Sequence, residues 1–270
     1  MKEATAMIQI KKVDETNNAQ VIETLEADVL RHVFAFYDIQ HDKEHTLMHA
    51  AFSGNRVEGY ILTYTATDVL SVVLECQPEI AGALLEKAPE NHFIMHTPPN
   101  LLPEIQKRFP SERHYLESWM MVKKDEANFF KSDCVRKLQK NSADASLLVG
   151  LFSTRKDRPE KEQKKYLEWI GRMPIFGVFM DDGFVAYAGS FIQLPQVWMI
   201  GGVYTDPNQR NRGYATLATS AITEEALKNA QAAALFARSD NYSAVRVYEK
   251  IGYRKIGEKM WVDVGTGLKP

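Results

Sequence analysis

Between residues 17 and 37 the apolar side chains Ile22, Leu25, Val29, Val33 and Phe36 recur at the spacing of one helical face and predict a first helix. β-prone runs over 46–52 and 57–65 flank Ser53-Gly54-Asn55-Arg56, a turn composition, and predict a hairpin. The pattern then alternates: strand over 69–74, helix over 78–87, strand over 92–97, helix over 101–109, strand over 114–122. Such alternation implies an α/β sheet. The polar stretch 123–133 reads as a linker, with Phe129 and Phe130 arguing that it packs down. Beyond it come a short strand (135–138), an apolar stretch (147–152) and a charged helix (160–172). A hairpin over 175–180 and 184–192 turns at Asp181-Asp182-Gly183. Strand 197–204, helix 214–229, strand 233–237, helix 243–251 and strand 253–264 complete the chain. Both halves run helix, hairpin, strand, helix, strand, helix, strand, although their residues barely match. An internal duplication is therefore expected, with α/β domains over 1–130 and 131–270.

The 270 residues carry 33 Lys plus Arg against 35 Asp plus Glu, and 45% are apolar, values that exclude a disordered, collagenous or coiled-coil chain. The apolar runs are far shorter than the ~20 residues that span a bilayer, and Met1-Lys2-Glu3-Ala4-Thr5 does not open a secretory signal. The expectation is a cytoplasmic protein without a membrane partner. Cys76 and Cys134 suit a reducing compartment and cannot by themselves build a Cys-rich zinc site. The formal charge is −7 over residues 1–132 and +5 over 133–270. The cations along 158–172 alternate with Glu as on a solvated helix face, so no nucleic-acid partner is expected. His41, His45 and His49 fall four apart, but a strand over 46–52 scatters them, and no metal site is expected.

The chemistry concentrates over 198–215, where a strand passes through Asp206-Pro207 into Arg210-Asn211-Arg212-Gly213-Tyr214-Ala215 and directly into a helix. The first N–H groups of a helix lack intrahelical partners and its dipole places partial positive charge there, so a phosphate is well held. Gly213 lets the backbone approach, Ala215 keeps the next turn thin, and Arg210 and Arg212 add mobile charge. Gly201-Gly202 inside the strand suggests a bulge or close approach that would splay it from a neighbour and free backbone groups.

The pattern R-x-x-G-x-A after Val203-Tyr204-Thr205-Asp206-Pro207 resembles the pyrophosphate loop of the GNAT acetyltransferases. A second signature of the same family, N-x-x-A-x-x-x-Y-x-x-x-G-[FY], is matched by Asn241, Ala244, Tyr248, Gly252 and Tyr253. The resemblance spans 133–264; residues 1–130 share only the order of elements. In place of a phosphate loop they offer Cys76-Gln77-Pro78-Glu79, which lacks glycine and cations, so that half is expected to be a degenerate copy without cofactor. The resemblance implies two tandem mixed-sheet GNAT-like domains, the second transferring acetyl from acetyl-CoA to a primary amine of a small molecule, amino acid or protein. Acetyl-CoA would lie against the strand through the backbone of Val203, Tyr204 and Thr205. Its diphosphate would sit on Arg210, Asn211, Arg212, Gly213, Tyr214 and Ala215, and the Val203 N–H would steady the oxyanion.

Tyr248 shares a helical stripe with Ala244, Val247 and Ile251, which suits a packed residue; the resemblance places its hydroxyl beside the departing sulfur. Asn241 is either a helix cap or a cofactor contact. Where many relatives carry a glutamate on the preceding strand, this chain has Met199, Ile200, Gly201 and Gly202, and all seven histidines lie at or before His114. A base must then be a water held by backbone and Ser190 or Tyr187, a residue of the first half, or none, the amine arriving neutral. Two alternatives stay open: a CoA-binding sensor or scaffold with little turnover, and transfer of a longer acyl chain. A homodimer is also left open.

Overall fold

The structure, a computed structural model, describes residues 7–155, 163–181 and 183–268. They form two compact units, one of residues 7–117 with 258–268 and one of the described residues between 118 and 257.

The first unit contains β1 (Gln9–Lys12), α1 (Asn18–Ala27), α2 (Val33–His41), β2 (Thr46–Ser53), β3 (Arg56–Tyr64), β4 (Leu70–Glu75), α3 (Pro78–Leu85), β5 (Phe93–Thr97) and α4 (Leu102–Arg108). It also holds the start of β6 (Arg113–Lys123) and most of β12 (Arg254–Val264). Its strands run in the order β1-β2-β3-β4-β5-β12, antiparallel except for the parallel β4–β5 pair. Ile80, Ala81, Leu84 and Leu85 of α3 and Ile105 of α4 cover Val72, Leu74, Phe93 and Met95 of the sheet.

The second unit contains the end of β6, then β7 (Val135–Lys137), α5 (Ser142–Ser153), α6 (Gln163–Arg172), β8 (Ile175–Met180), β9 (Gly183–Gln193), β10 (Val197–Thr205), α7 (Tyr214–Asn229), β11 (Ala232–Arg238) and α8 (Tyr242–Ile251). Its order is β6-β11-β10-β9-β8-β7. One core packs α7 and α8, through Ala218, Ile222, Tyr248 and Ile251, against Ile200, Ala233 and Leu235. Another packs α5 and α6, through Leu148, Phe152, Tyr166 and Ile170, against Ile175 and Tyr187. The expected mixed α/β architecture and tandem element order are both present.

Three features depart from the sequence reading. The single helix over 17–37 is two, because the Asp28 side chain accepts the Arg31 N–H at 3.1 Å and competes with helix continuation. The apolar stretch 147–152 is the end of α5, which starts at Asn141, whose side chain accepts the Asp144 N–H at 2.8 Å. The units divide at 117/118 and 257/258, not at 130/131, because the end of β12 pairs antiparallel with β5, Met260 opposite Thr97 through Val264 opposite Phe93. The stretch 123–133 lies inside the second unit and packs down. Two backbone N–H groups hold it, Asn128 N–H donating to Ile251 O (2.8 Å) and Phe130 N–H to the Ser220 side-chain Oγ (2.7 Å), while the Phe129 and Phe130 rings stay exposed. Residues 160–162 of the expected charged helix and Asp182 of the expected turn lie outside the described residues.

Candidate active site

The site begins where β10 leaves β11. The two strands pair in parallel only from Val197 opposite Ala232 to Met199 opposite Ala234; residues 200–205 have no β11 partner among the described residues. On its other side β10 stays bonded to β9, out to Thr205 opposite Ala186, but with an extra residue between Gly201 and Tyr204. Gly202 in that bulge has φ +65°, a backbone that favours glycine. The glycine pair thus produces the expected bulge, and one edge of β10 is left unpaired beyond Met199. The room the glycines leave is occupied: a Cβ on Gly201 would come within 2.6 Å of the Phe191 ring, and one on Gly202 within 3.3 Å of the Tyr187 ring.

Side chains alternate across this strand. Val203 packs toward the α7 and α8 core. Tyr204 turns to the other face, where its hydroxyl bonds Thr154 Oγ1 at 2.8 Å and its ring lies under the Arg155 guanidinium at 4.9 Å. The buried Thr205 hydroxyl has no hydrogen-bond partner among the described residues. Phe191, Thr154 and Arg155 went unmarked in the sequence; the Asn141-Ser142-Ala143-Asp144 cap would have revealed α5, but nothing local places its end beside Tyr204.

After β10 the Asp206 side chain accepts the Asn208 N–H at 2.8 Å and sets a single turn of 3-10 helix over Pro207–Gln209. Asn211 (φ +63°) and Gly213 (φ +83°) then carry the chain through left-handed conformations into α7. No side chain caps α7, and the first backbone partner met by Gly213 O is the Leu217 N–H at 3.1 Å. The N–H groups of Tyr214, Ala215 and Thr216 therefore have no intrahelical acceptor. Arg210, Asn211, Arg212 and Gly213 are exposed beside them, with Arg210 Nε reaching back to Thr205 O at 3.4 Å. Unspent amides, the positive end of a 16-residue helix and two exposed guanidiniums are groups that suit an anion. The cradle fits a diphosphate.

In α8, Asn241 Oδ1 caps the helix by accepting the Ala244 N–H (3.2 Å) and the Ser243 hydroxyl (2.8 Å), which realises the cap alternative and leaves only its Nδ2 for a ligand. Tyr248 is buried, edge-on to Tyr253 at 6.1 Å, and its hydroxyl has no partner among the described residues. Burial pushes this phenol up to about 12. Gly252, at φ +106°, ends α8, and a Cβ there would overlap the Glu126 carbonyl oxygen.

β10 carries no carboxylate. The Ser190 hydroxyl is wholly buried and bonded to Ile192 O at 3.0 Å, so it cannot hold a water for the reaction as the sequence reading allowed. Tyr187 is buried among Phe152 and Tyr204. The three spaced histidines do not converge: His41 ends α2, His45 bonds Asp42 at 2.5 Å, and His49 lies in β2. Among the described residues, no helix is long and apolar enough to cross a membrane.

The family model described as FR47-like protein matches residues 176–262. Comparison with curated proteins finds no match. Among solved structures, the chain is similar to a Drosophila protein (TM-score 0.72, 11% identity, 96% of this chain and 99% of that one). It is similar also to a GCN5-related N-acetyltransferase from Kribbella flavida (TM-score 0.63, 16% identity, 87% and 95%). A tandem GNAT protein from the clavulanic acid biosynthesis pathway matches over 96% of this chain and 98% of its own, at TM-score 0.63 and 12% identity. Residues 176–262 thus match the FR47-like, GNAT-related family model, and the chain is similar in fold to the tandem GNAT protein.

Proposed function

We propose that the protein is an N-acetyltransferase that moves the acetyl group of acetyl-CoA directly onto a primary amine of a small molecule, an amino acid or a protein. The observation that carries this reading is the unpaired edge of β10 leading into the uncapped start of α7.

Bound acetyl-CoA supplies an activated acetyl thioester. The amides of Gly213, Tyr214 and Ala215, with Arg210, Asn211 and Arg212, would take the diphosphate. The backbone of Val203, Tyr204 and Thr205 would pair with the pantetheine amides, and Asn241 can add its Nδ2. The Val203 N–H would donate to the carbonyl oxygen as negative charge develops on it. Tyr248 would donate a hydrogen bond to the departing sulfur. Its phenol, near 12, lies well above a thiol of ~8.5, so full proton transfer would run uphill by roughly 5 kcal/mol. Hydrogen bonding, with the proton retained, is the role this environment supports. With no carboxylate on β10 and Ser190 spent, the amine is read as arriving neutral, and the proton it sheds as the C–N bond forms passes to the departing thiolate as the C–S bond breaks.

Calorimetric titration with acetyl-CoA, followed by thiol-release assays over a panel of primary amines, tests the proposal. Saturable binding with release for at least one amine class is expected. Binding without release for any amine would favour the second reading, a CoA-binding sensor, which the absent carboxylate motivates. Transfer of a longer acyl chain loses its support because Phe191 and Tyr187 fill the room beside Gly201 and Gly202.

A further inference from the structure

The first unit has a polar cavity of about 170 Å³ at the end of β4, lined by Arg31, His32, Tyr60, Glu75, Cys76 and Gln77 among others. β4 pairs with β5 only as far as Val73, so its last residues, Leu74 and Glu75, are bonded to β3 alone and open beside the α1–α2 connection. Glu75 is 2% exposed and carries two cations: Lys259 Nζ on one oxygen and Arg31 Nε, at 3.2 Å, on the other. This buried carboxylate meets two positive charges, and Asp28, whose charge acts on Lys259 and His32, adds a second negative one, so the cluster as a whole is close to neutral. The cation that reaches the cavity is Arg31, whose side chain is 50% exposed, whereas Lys259 is 10% exposed. Its Nε is spent on Glu75, and its two terminal nitrogens have no partner among the described residues.

A guanidinium pinned through Nε to a fixed acid is already ordered, and its free planar pair of donors matches two coplanar oxygens. The other lining groups add no second cation. His32 bonds the Tyr60 hydroxyl at 2.9 Å, and burial, reinforced by the Arg31 charge, pulls it down to about 4, so it is neutral at pH 7. The Cys76 thiol is pushed up to about 12 by burial and stays protonated. Gln77 contributes a side-chain amide with no partner among the described residues. Glu58, also on the wall, is held by Arg56 at 2.6 Å and, with Glu75, would repel a doubly charged anion. In volume the cavity compares with the ~150 Å³ cavity that holds benzene, a size that suits a small organic acid of up to about nine heavy atoms.

We propose that this cavity binds a small monocarboxylate, its two oxygens seated on the free fork of Arg31 and its body directed toward Gln77 and Cys76. The proposal does not rest on acetyl transfer in the second unit.

The test titrates the full-length protein with propionate and benzoate, with propionamide and benzamide as neutral isosteres and inorganic phosphate as a generic anion. The side-chain amide of Gln77 and the backbone amide of Cys76 are followed by proton–nitrogen correlation NMR. Both carboxylates should move these resonances saturably, the amides should not, and phosphate should not displace the carboxylates. Arg31→Gln should weaken carboxylate binding by roughly tenfold or more. Arg31→Lys keeps the charge without the fork, so it should also weaken binding several-fold while the melting temperature holds. Equal shifts from the amides, displacement by phosphate, or full-strength binding by a folded Arg31→Lys protein would overturn the proposal.

Discussion

Replacing Gly213 separates the conformational role of the loop from its electrostatic one. A Cβ at this position meets nothing within 4 Å, so no steric conflict arises, and the cost to any L residue is its φ of +83°. That cost is about 1–2 kcal/mol for either Ala or Glu. Glu recovers about 0.3–1 kcal/mol of it by placing its carboxylate at the positive end of α7, so the two variants should melt within a few degrees of each other. Their affinities for acetyl-CoA should differ far more. A carboxylate ~5 Å from one phosphate charge, at an effective dielectric of ~20 to 40, costs roughly 1.5–3 kcal/mol, or about 10- to 150-fold in affinity. Gly213→Ala should bind within a few-fold of the parent protein. Calorimetric titration at two salt concentrations reads both effects, because the Glu penalty should shrink as salt screens it. If Glu and Ala lost affinity equally, or neither lost any, the diphosphate would not sit on these amides.

Other consequences follow from the same geometry. Tyr248→Phe removes a hydroxyl without a partner among the described residues, so thermal stability should move by under about 0.5 kcal/mol while kcat falls; an unchanged kcat would reduce Tyr248 to a core residue. Gly252→Ala meets both a φ of +106° and overlap with the Glu126 carbonyl oxygen, and should cost about 3 kcal/mol or more, measured by urea unfolding; a loss under 1 kcal/mol would show that 123–133 is not held against α8. Burial, and then Asp42, push Asp38 up to about 7. Its stabilising contribution is therefore complete below pH ~4 and is lost as pH rises through 7, by roughly 2–3 kcal/mol between pH 5 and 8. Asp38→Asn should lack that loss, and parallel stability profiles for the two proteins would mean the carboxyl ionises freely.

What the sequence disclosed and what it withheld divide along physical lines. β10, the loop after it and α7 were legible because their signals are local: a glycine pair, a glycine where φ must be positive, cations beside a helix start. The Asn241 cap and the Gly252 terminus were marked by the second motif, and the structure supplies the reason for the glycine, a carbonyl oxygen where a Cβ would lie. The seat of Tyr204 was not legible, because Thr154 and Arg155 reach it only once α5 packs on the sheet. Nor was the Glu75 cluster, whose partners Arg31 and Lys259 are separated by more than two hundred residues of sequence and meet because the last strand pairs with β5. The short β1 carries too few residues to show a period.

The two β–α turns explain how one repeated fold came to hold two different sites. Between β10 and α7 lie eight residues, two of them at positive φ, and the helix that follows begins with unspent amides. Between β4 and α3 lie only Cys76 and Gln77, and α3 begins at Pro78, which has no N–H to offer. A turn of two residues cannot arch backbone amides around a diphosphate, so the end of β4 has no cradle, although β4 also outruns its pairing with β5. The opening is lined instead by side chains, and one of them, Arg31, is a half-exposed cation held in place by Glu75. Loop length, more than sheet topology, thus decides whether the end of the parallel strand recognises an anion through backbone amides or through a guanidinium. Lengthening the 76–77 turn with a glycine-rich insert should therefore leave the first unit folded but dismantle carboxylate binding at Arg31, since Gln77 and Cys76 would no longer be held against it. Retention of that binding would place the ligand outside the β4–α3 turn.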